Sequence, residues 1–288
     1  MHDNFVGPFV EFAFMRRALV AAIALALGCA PVGVFLILRR LSLVGDALSH
    51  AVLPGVAIGF LVAGLSLTAM AAGGFMTGLL TALAAGALSR LTPLREDATF
   101  AAFYLIALAS GVLIVSLRGS NVDLMHMLFG SVLGVDDAAL LLVVSVASLS
   151  MMTLALLYRP LVVECFDPEF LRAVGGPSAL VHGVFLVLVV ANLVAAFQAL
   201  GTLMAVGLMM LPAAAARFWA RAVWSLIVIA ALVGVVSAYA GLVVSYAFDL
   251  PSGPAIVLSA GLIYLVSVLL GPRGGLLGQL ISRRHLEA

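Results

Sequence analysis

Apolar stretches of about 20 residues recur along the whole chain, and no other feature of the sequence constrains its fold so strongly. A helix needs about 20 apolar residues to cross the hydrocarbon core of a bilayer. Of the 288 residues, 65% are hydrophobic and 9% are charged, and the mean hydropathy is +1.28. A water-soluble domain of this length cannot bury so much apolar surface. We therefore predict an all-α, polytopic membrane protein that forms one transmembrane domain over residues 1–288.

The apolar stretches predict about nine membrane spans. They cover roughly residues 18–38, 43–65, 67–89, 98–117, 138–157, 181–200, 201–216, 222–247 and 255–270. The turns near residues 66 and 201 are tight, so one short span could be re-entrant, which would leave eight. Residues 1–15 mix phenylalanines with acidic side chains, which is typical of a short helix in the membrane interface and equally of a partly ordered tail.

All fourteen basic side chains are arginines. With nine spans and an inner C-terminus, eleven arginines lie inside and three outside, and the opposite orientation reverses that bias. Because cytoplasmic loops carry the excess of basic residues, we predict an external N-terminus, a cytoplasmic C-terminus and a cytoplasmic loop at 158–180. The chain has no lysine, and a phosphate-binding P-loop requires one. Any nucleotide-driven step therefore needs a separate subunit.

An aspartate and a histidine, Asp46 and His50, lie four residues apart in the second predicted span. On a helix this spacing puts both side chains on one face, and ionisable residues at membrane depth indicate a functional site by default. A carboxylate and an imidazole suit a divalent transition metal. Two ligands suit a transit site, to which a second copy of the chain could add two more. Alternatively, Asp46 caps its helix and pairs with Arg39 or Arg40, and His50 is a satisfied core histidine.

The longest polar connection contains a short helix with clear start and stop signals. Asp167 is a good N-cap, Pro168 suits the first helical position, and Glu169 favours the positive end of the helix dipole. Gly175, with a second glycine after it, ends the helix. The pattern predicts about two turns over residues 168–174, which either dock to a partner or only cap the bundle.

Other polar residues give weaker signals. Asp123 and His126, in the loop after the fourth span, could meet an incoming cation, although loop residues of this type are usually only solvated. His182 is expected at an interface rather than as a ligand, and Cys29 and Cys165 are expected to be free thiols. The chain contains no HExxH, CxxC or GxSxG motif, so we expect no enzymatic activity of its own.

The run SLVGDALSHAVLPGVAIGF at residues 42–60 resembles the signature of permease subunits of the ABC-3 family, the membrane subunits of bacterial importers of zinc, manganese and sometimes iron. Four further segments appear in the family's order. They are FMRRALVAAIALALGCAPVGVFLILRR, LFGSVLG, DPEFLRAVGG and GTLMAVGLMMLPAAAAR. The resemblance covers nearly the whole chain.

This resemblance implies a homodimeric permease with a type II ABC importer fold in the bacterial cell (inner) membrane. An extracellular or periplasmic metal-binding protein would deliver Zn²⁺ or Mn²⁺ to Asp46 and His50, and a cytoplasmic ATP-binding subunit would drive transport. Residues 167–176 would form the coupling helix that docks on the ATPase, with Glu169 and Arg172 making polar contacts there. We expect no permanently bound cofactor and no nucleic-acid partner.

Two other classes of protein remain open at this point. A proton-coupled secondary transporter could use Asp46 and His50 as a proton relay, although the sequence shows no inverted repeat and no second ionisable residue deep in another span. A non-transporting scaffold or receptor subunit would tolerate small residues in place of the pair. The sequence does not decide the metal, because aspartate and histidine suit Zn²⁺ and Mn²⁺ alike.

Overall fold

The computed structural model describes residues 7, 9–64, 66–93, 96–117 and 136–277, and helices dominate them. Within these ranges the chain forms no β-strand. Its helices from Ala13 onward are α1 (Ala13–Leu38), α2 (Val44–Ala51), α3 (Leu53–Ala63), α4 (Leu67–Leu91), α5 (Glu96–Leu117), α6 (Asp137–Leu156), α7 (Tyr158–Phe166), α8 (Pro168–Ala173), α9 (Ser178–Leu200), α10 (Thr202–Ala216), α11 (Val223–Phe248) and α12 (Ser252–Leu270).

Eight segments of the described chain are long and apolar enough to cross a membrane, and α2 and α3 together make one of them. The prediction of a polytopic helical membrane protein is confirmed. The predicted seventh span is α10, which has only 15 residues. At 1.5 Å per residue α10 is about 22 Å long, less than the roughly 30 Å hydrocarbon core of a bilayer. The helix α10 is therefore the short segment on which the predicted number of spans, eight or nine, depends.

The second predicted span is interrupted at Val52, between α2 and α3. Pro54 follows His50 by four residues and has no N–H to donate to the His50 carbonyl, so the helical hydrogen-bond ladder loses a bond here. Val52 itself keeps helical backbone angles (φ −73°, ψ −27°), so the interruption is confined to the hydrogen bonds. In membrane proteins such a break is tolerated where the freed polar group lies against protein or a cavity.

Two helices, α1 and α9, form the centre of the bundle. Their most apolar 18-residue windows are each 72% buried, whereas those of the other spans are 17–50% buried. Close helix contacts depend on glycine: a Cβ at Gly33 would collide with the Met209 carbonyl between α1 and α10, and a Cβ at Gly55 would collide with the Gly73 carbonyl between α3 and α4. Without a hydrophobic force between helices in lipid, such small residues allow the backbones to pack.

Contacts at the helix ends define which termini lie together. At one end, Arg17 of α1 pairs with Asp137 of α6. At the other end, Arg39 pairs with Glu164, and the Arg273 N–H donates to the Phe218 carbonyl. Arg217 and Arg273 also line one pocket with Ile37 near the end of α1. We call the end that holds Arg39, Arg217 and Arg273 the basic end of the bundle.

Candidate metal-transit site

The helix α2 presents Asp46 and His50 on one face, as the four-residue spacing predicts. Asp46 lies in the first turn of α2, where the helix dipole favours a carboxylate, and His50 lies in the last turn. The His50 Nε2 atom is 3.8 Å from the Asp46 Oδ1 atom. Ligand atoms about 2.1 Å from one ion can be at most about 4.2 Å apart. The two side chains can therefore bind the same metal ion.

Both side chains open into a pocket of about 340 Å³ at the start of α10. The side chain of Asp46 is 62% exposed and that of His50 is 32% exposed, so an ion that reaches the pocket can contact both. The pocket is lined by Asp46, Ser49, His50, Thr202, Leu203, Val206, Gly207 and Val257. The lining combines hydroxyl and carboxylate oxygens with one imidazole, and the described lining contains no sulfur ligand.

Thr202 and Val257, on one wall of the pocket, lie near the ends of α10 and α12 that are remote from the basic end. Thr202 is the first residue of α10, and α10 ends near Arg217 at the basic end. Val257 is near the start of α12, which likewise ends close to Arg273. Asp46 and His50 line the pocket from α2, which starts five residues after Arg39 of the basic end.

The pair is too small a ligand set for a tight, permanent site within one copy. Among the residues that the structure describes, no three His, Cys, Asp or Glu side chains are grouped to hold a metal ion, whereas structural zinc sites use four ligands. Within the described residues, the His50 Nδ1 atom has no hydrogen-bond partner. A hydrogen bond from the ring nitrogen that does not bind the metal normally fixes a metal-binding histidine, so this ring is held less firmly than in a structural site.

The alternative in which Asp46 only caps its helix is wrong. The N-cap of α2 is Leu43, and no side chain makes a cap hydrogen bond there. Arg39 pairs with Glu164 of α7 rather than with Asp46, and no ion pair joins Arg40 to Asp46 in the described chain. His50 lines the pocket instead of being buried in the core.

Sequence reasoning missed the opposite wall of the pocket. Thr202 and Gly207 come from α10, and Val257 comes from α12, both far from Asp46 in the chain. The ring of Tyr104 in α5 also lies 6.3 Å from the His50 ring, centroid to centroid. The segment that begins at Gly201-Thr202 contributed to the resemblance to a family. Nothing in its residues indicated that it would lie beside Asp46 and His50.

The short helix predicted in the longest polar connection is confirmed as α8. Asp167 is its N-cap and accepts a hydrogen bond from the Phe170 N–H at 2.8 Å, and Pro168 is its first residue. Gly175 adopts the left-handed conformation (φ +75°), and the Gly176 N–H donates to the Leu171 carbonyl at 2.8 Å. With the bond from the Gly175 N–H to the Arg172 carbonyl at 3.0 Å, the Gly176 bond forms a Schellman motif, which ends the helix at Ala173.

The surface around α8 is apolar and exposed, although α8 lies in a polar connection. Phe166, Phe170 and Val174 are between 55% and 66% exposed. Glu169 lies in the first turn of α8, and Arg172 in the last turn donates from Nε to the Pro168 carbonyl at 3.2 Å. The docking role of these residues stays a prediction.

The remaining sequence candidates differ in their outcome. Asp123 and His126 lie outside the described residues. His182 is 5% exposed, and its Nε2 atom lies 3.3 Å from Glu96 Oε1, so it is a buried contact between α9 and α5. The expectation that it lies at the membrane interface stays a prediction. Both cysteines are free thiols, and burial raises the pKa of Cys165 to about 11.

Three comparisons with known proteins agree with one another. The model of the ABC 3 transport family matches residues 11–271. A manganese transport system membrane protein, MntC of Halalkalibacterium halodurans, is 35% identical over 95% of this chain and 92% of its own length. A manganese import system permease protein, ScaB of Streptococcus parasanguinis, is 32% identical over 95% of this chain and 96% of its own length.

A solved structure is similar over nearly the whole chain. It is PsaBC from Streptococcus pneumoniae in complex with Fab, and one of its chains superposes with a TM-score of 0.84. The two chains are 31% identical, and the match covers 97% of this chain and 99% of that one. The sequence comparisons and the structural comparison therefore agree over nearly the whole chain.

Proposed function

The chain belongs to the ABC 3 transport family, and on that basis we propose that it is the membrane-spanning permease of an ATP-driven importer for a divalent transition metal. The observation that carries the proposal is the Asp46–His50 pair, whose ligand atoms lie 3.8 Å apart on the wall of a pocket within the helical bundle. An ion can reach this pair from the pocket, and two ligands are too few to hold the ion permanently. The pair can therefore bind an ion and release it again.

We take manganese as the first candidate cargo and zinc as the second. The relatives MntC and ScaB are named as manganese transport proteins, and the pocket chemistry is compatible with that metal. Carboxylate, hydroxyl and water oxygens suit Mn²⁺, whereas soft sulfur ligands select Cu(I) or Zn²⁺. Thr202 and Ser49 bring hydroxyls to the pocket beside Asp46.

In the proposed cycle, a metal-binding protein outside the cell delivers the ion to the pocket. The ionised carboxylate of Asp46 offsets part of the free-energy cost of moving a divalent cation into a low-dielectric region. Two copies of the chain, facing each other, would double the ligand set to two carboxylates and two imidazoles. This homodimer is part of the proposal, together with the external metal-binding protein.

The basic end of the bundle is proposed to face the cytoplasm, because cytoplasmic surfaces carry the excess of arginine. This orientation puts the N-terminus outside the cell and the C-terminus inside. A cytoplasmic ATPase would then dock on α8 and on the exposed apolar residues around it, Phe166, Phe170 and Val174. Hydrolysis takes place on that separate subunit, because this chain lacks a P-loop lysine.

The test is uptake of radioactive manganese and zinc, measured in parallel in cells that make the whole transporter. We expect Asp46→Ala and His50→Ala each to lower uptake of one metal at least about tenfold, because even outer-shell partners of metal ligands change affinity 10–100-fold. Asp137→Asn is the matched control, since it removes a carboxylate from an exposed ion pair that does not line the pocket.

Each variant is first quantified in the membrane, so that lost uptake is not lost protein. Unchanged uptake by Asp46→Ala and His50→Ala would mean that the pair is structural and that the proposal is wrong. Uptake that survives inactivation of the ATPase subunit but is abolished by a proton ionophore would favour the secondary transporter instead.

A further inference from the structure

A second pair of charged side chains lies deep in the basic end of the bundle. Arg39 Nη2 is 3.4 Å from Glu164 Oε1, and the two side chains are only 9% and 1% exposed. The Arg39 guanidinium also lies over the Phe185 ring, 5.3 Å from its centroid. Because desolvation can exceed the attraction between buried charges, a buried ion pair is weak evidence for a role in stability. Its position in the chain indicates another role.

Glu164 belongs to the segment that leads into α8. It is the seventh residue of α7, and Asp167, the N-cap of α8, follows three residues later. Phe185 lies in α9, the helix that follows α8. The elements on both sides of α8 therefore contact the guanidinium of Arg39.

Arg39 lies at the point where α1 turns into α2. It is the C-cap of α1, and α2 with Asp46 and His50 starts at Val44. The turn between them is a second Schellman motif, in which the Leu41 N–H donates to the Leu36 carbonyl at 2.9 Å and the Arg40 N–H donates to the Ile37 carbonyl at 3.1 Å. A displacement of Arg39 would thus pass directly to α2.

The turn between α1 and α2 is also strained. Arg40 occupies its left-handed position with φ +61°, although glycine is the residue that adopts this conformation without a steric penalty. Such conformations persist only where the surroundings hold them. The buried contacts on either side of Arg40, namely Arg39 with Glu164 and Leu41 in the core, are what holds this one.

We propose that the Arg39–Glu164 ion pair is the positioning contact that transmits movement of the α7–α8 segment to the Asp46–His50 pair. Both partners act through α2 and neither touches the ion, so they are positioning residues. The inference rests on the proposed function, because it gives one route by which the ATPase-side segment can alter the metal pocket. A guanidinium that contacts both the Glu164 carboxylate and the Phe185 ring in a buried site suits this role better than a flexible surface contact.

The test uses the complete transporter, reconstituted in proteoliposomes with its ATPase subunit and metal-binding protein, and measures ATP hydrolysed per metal ion imported. Glu164→Gln and Arg39→Lys keep the size of each side chain and weaken the paired contact. We expect the ratio of ATP to ion to rise roughly fivefold or more in both, the lower end of typical coupling between two sites. Asp137→Asn, which weakens the exposed pair at the other end of α1, should leave the ratio unchanged.

A double variant separates coupling from stability. Arg39→Met combined with Glu164→Met removes both charges and keeps apolar volume, an exchange that often preserves folding. We expect normal amounts of protein in the membrane and a ratio that is still raised. If the single variants and this double variant all keep the ratio of the intact chain, the inference is wrong and the pair has only a structural role.

Failure of the proposed function would look different. In that case the intact chain itself would show no ATP-driven uptake in the reconstituted system. A different outcome is that the intact chain transports metal while the Glu164→Gln protein fails to accumulate in the membrane. The ATP-to-ion ratios of Arg39→Lys and of the double variant then test the inference, because both variants retain the packing of the site.

Discussion

The two ends of α1 carry ion pairs of the same chemistry in opposite surroundings. Arg17 Nη2 lies 3.1 Å from Asp137 Oδ1, and those side chains are 47% and 75% exposed. Arg39 Nη2 lies 3.4 Å from Glu164 Oε1, and those side chains are 9% and 1% exposed. The shorter pair is the exposed one. Distance alone would therefore make the exposed pair look like the more important contact for the structure.

Burial changes what each pair does for the protein. Water and salt screen the exposed pair, and such pairs contribute about 0–1 kcal/mol. The buried pair gains little net free energy as a pair, but losing one partner leaves an uncompensated charge. The first pair is a replaceable surface contact, whereas the second fixes the relative position of α1, α7 and α9.

The largest expected effect comes from removing one partner of each pair. Glu164→Ala should lower the free energy of unfolding by about 3–5 kcal/mol, and Asp137→Ala by about 1 kcal/mol at most. The measurement is the folded fraction of purified protein after heating in detergent. Equal losses for the two variants would contradict the comparison, as would a strong salt dependence of the Glu164→Ala effect.

A second prediction concerns the two Schellman motifs, which share a geometry but not a residue at the left-handed position. Arg40→Gly should raise the free energy of unfolding by about 1 kcal/mol, because it removes the strain at φ +61°. Gly175→Ala should lower it by about 1 kcal/mol, because alanine would be forced into φ +75°. Both are measured in the same heating assay, with the intact chain as the reference. A loss on Arg40→Gly would mean that the Arg40 side chain itself stabilises the turn.

The smallest expected effect is on a thiol beside the buried pair. Desolvation raises the pKa of Cys165 to about 11, while Arg39 acts to lower that pKa and Glu164 to raise it. At pH 8 only about one thiol in a thousand is then ionised, and labelling by a maleimide should accelerate about tenfold per pH unit up to pH 11. Cys29 is fully buried and should stay unlabelled in the folded protein.

Variants of the buried pair should shift this labelling in opposite directions. Glu164→Gln removes a nearby negative charge, lowers the pKa of Cys165 and should accelerate labelling at pH 8. Arg39→Met removes the nearby positive charge, raises the pKa and should slow it. Faster labelling in both variants would instead report local unfolding of α7.

Much of the fold followed from the sequence because a bilayer leaves the backbone few choices. Each apolar stretch must satisfy its own hydrogen bonds as a helix, so span after span could be predicted from length and hydropathy. The short α8 was also predictable, because Asp167, Pro168 and Gly175 act on the backbone within a few residues of their own position. Local rules were sufficient wherever the physical cause was local.

The site was predictable only in part, for the same reason. The four-residue spacing of Asp46 and His50 predicted that they share a face of α2, since a helix fixes the relative position of neighbours. The hydroxyl of Thr202 and the wall at Val257 could not be predicted, because they reach the pocket from helices that are more than 150 residues away in the chain. The tight turn near residue 201 indicated that one span could be short, but it did not predict the length of α10.

Hydropathy, residue content and spacing were enough to predict a bundle of membrane-spanning helices, the absence of a P-loop lysine, and a shared helix face for Asp46 and His50. Which charged side chains pair with each other became visible only in the folded chain. Arg39 could have paired with Asp46, seven residues away, but it pairs with Glu164, more than a hundred residues away. The reason is physical: the turn at Arg40 and the packing of α1 against α7 and α9 direct the guanidinium into the bundle, whereas α2 points Asp46 into the pocket.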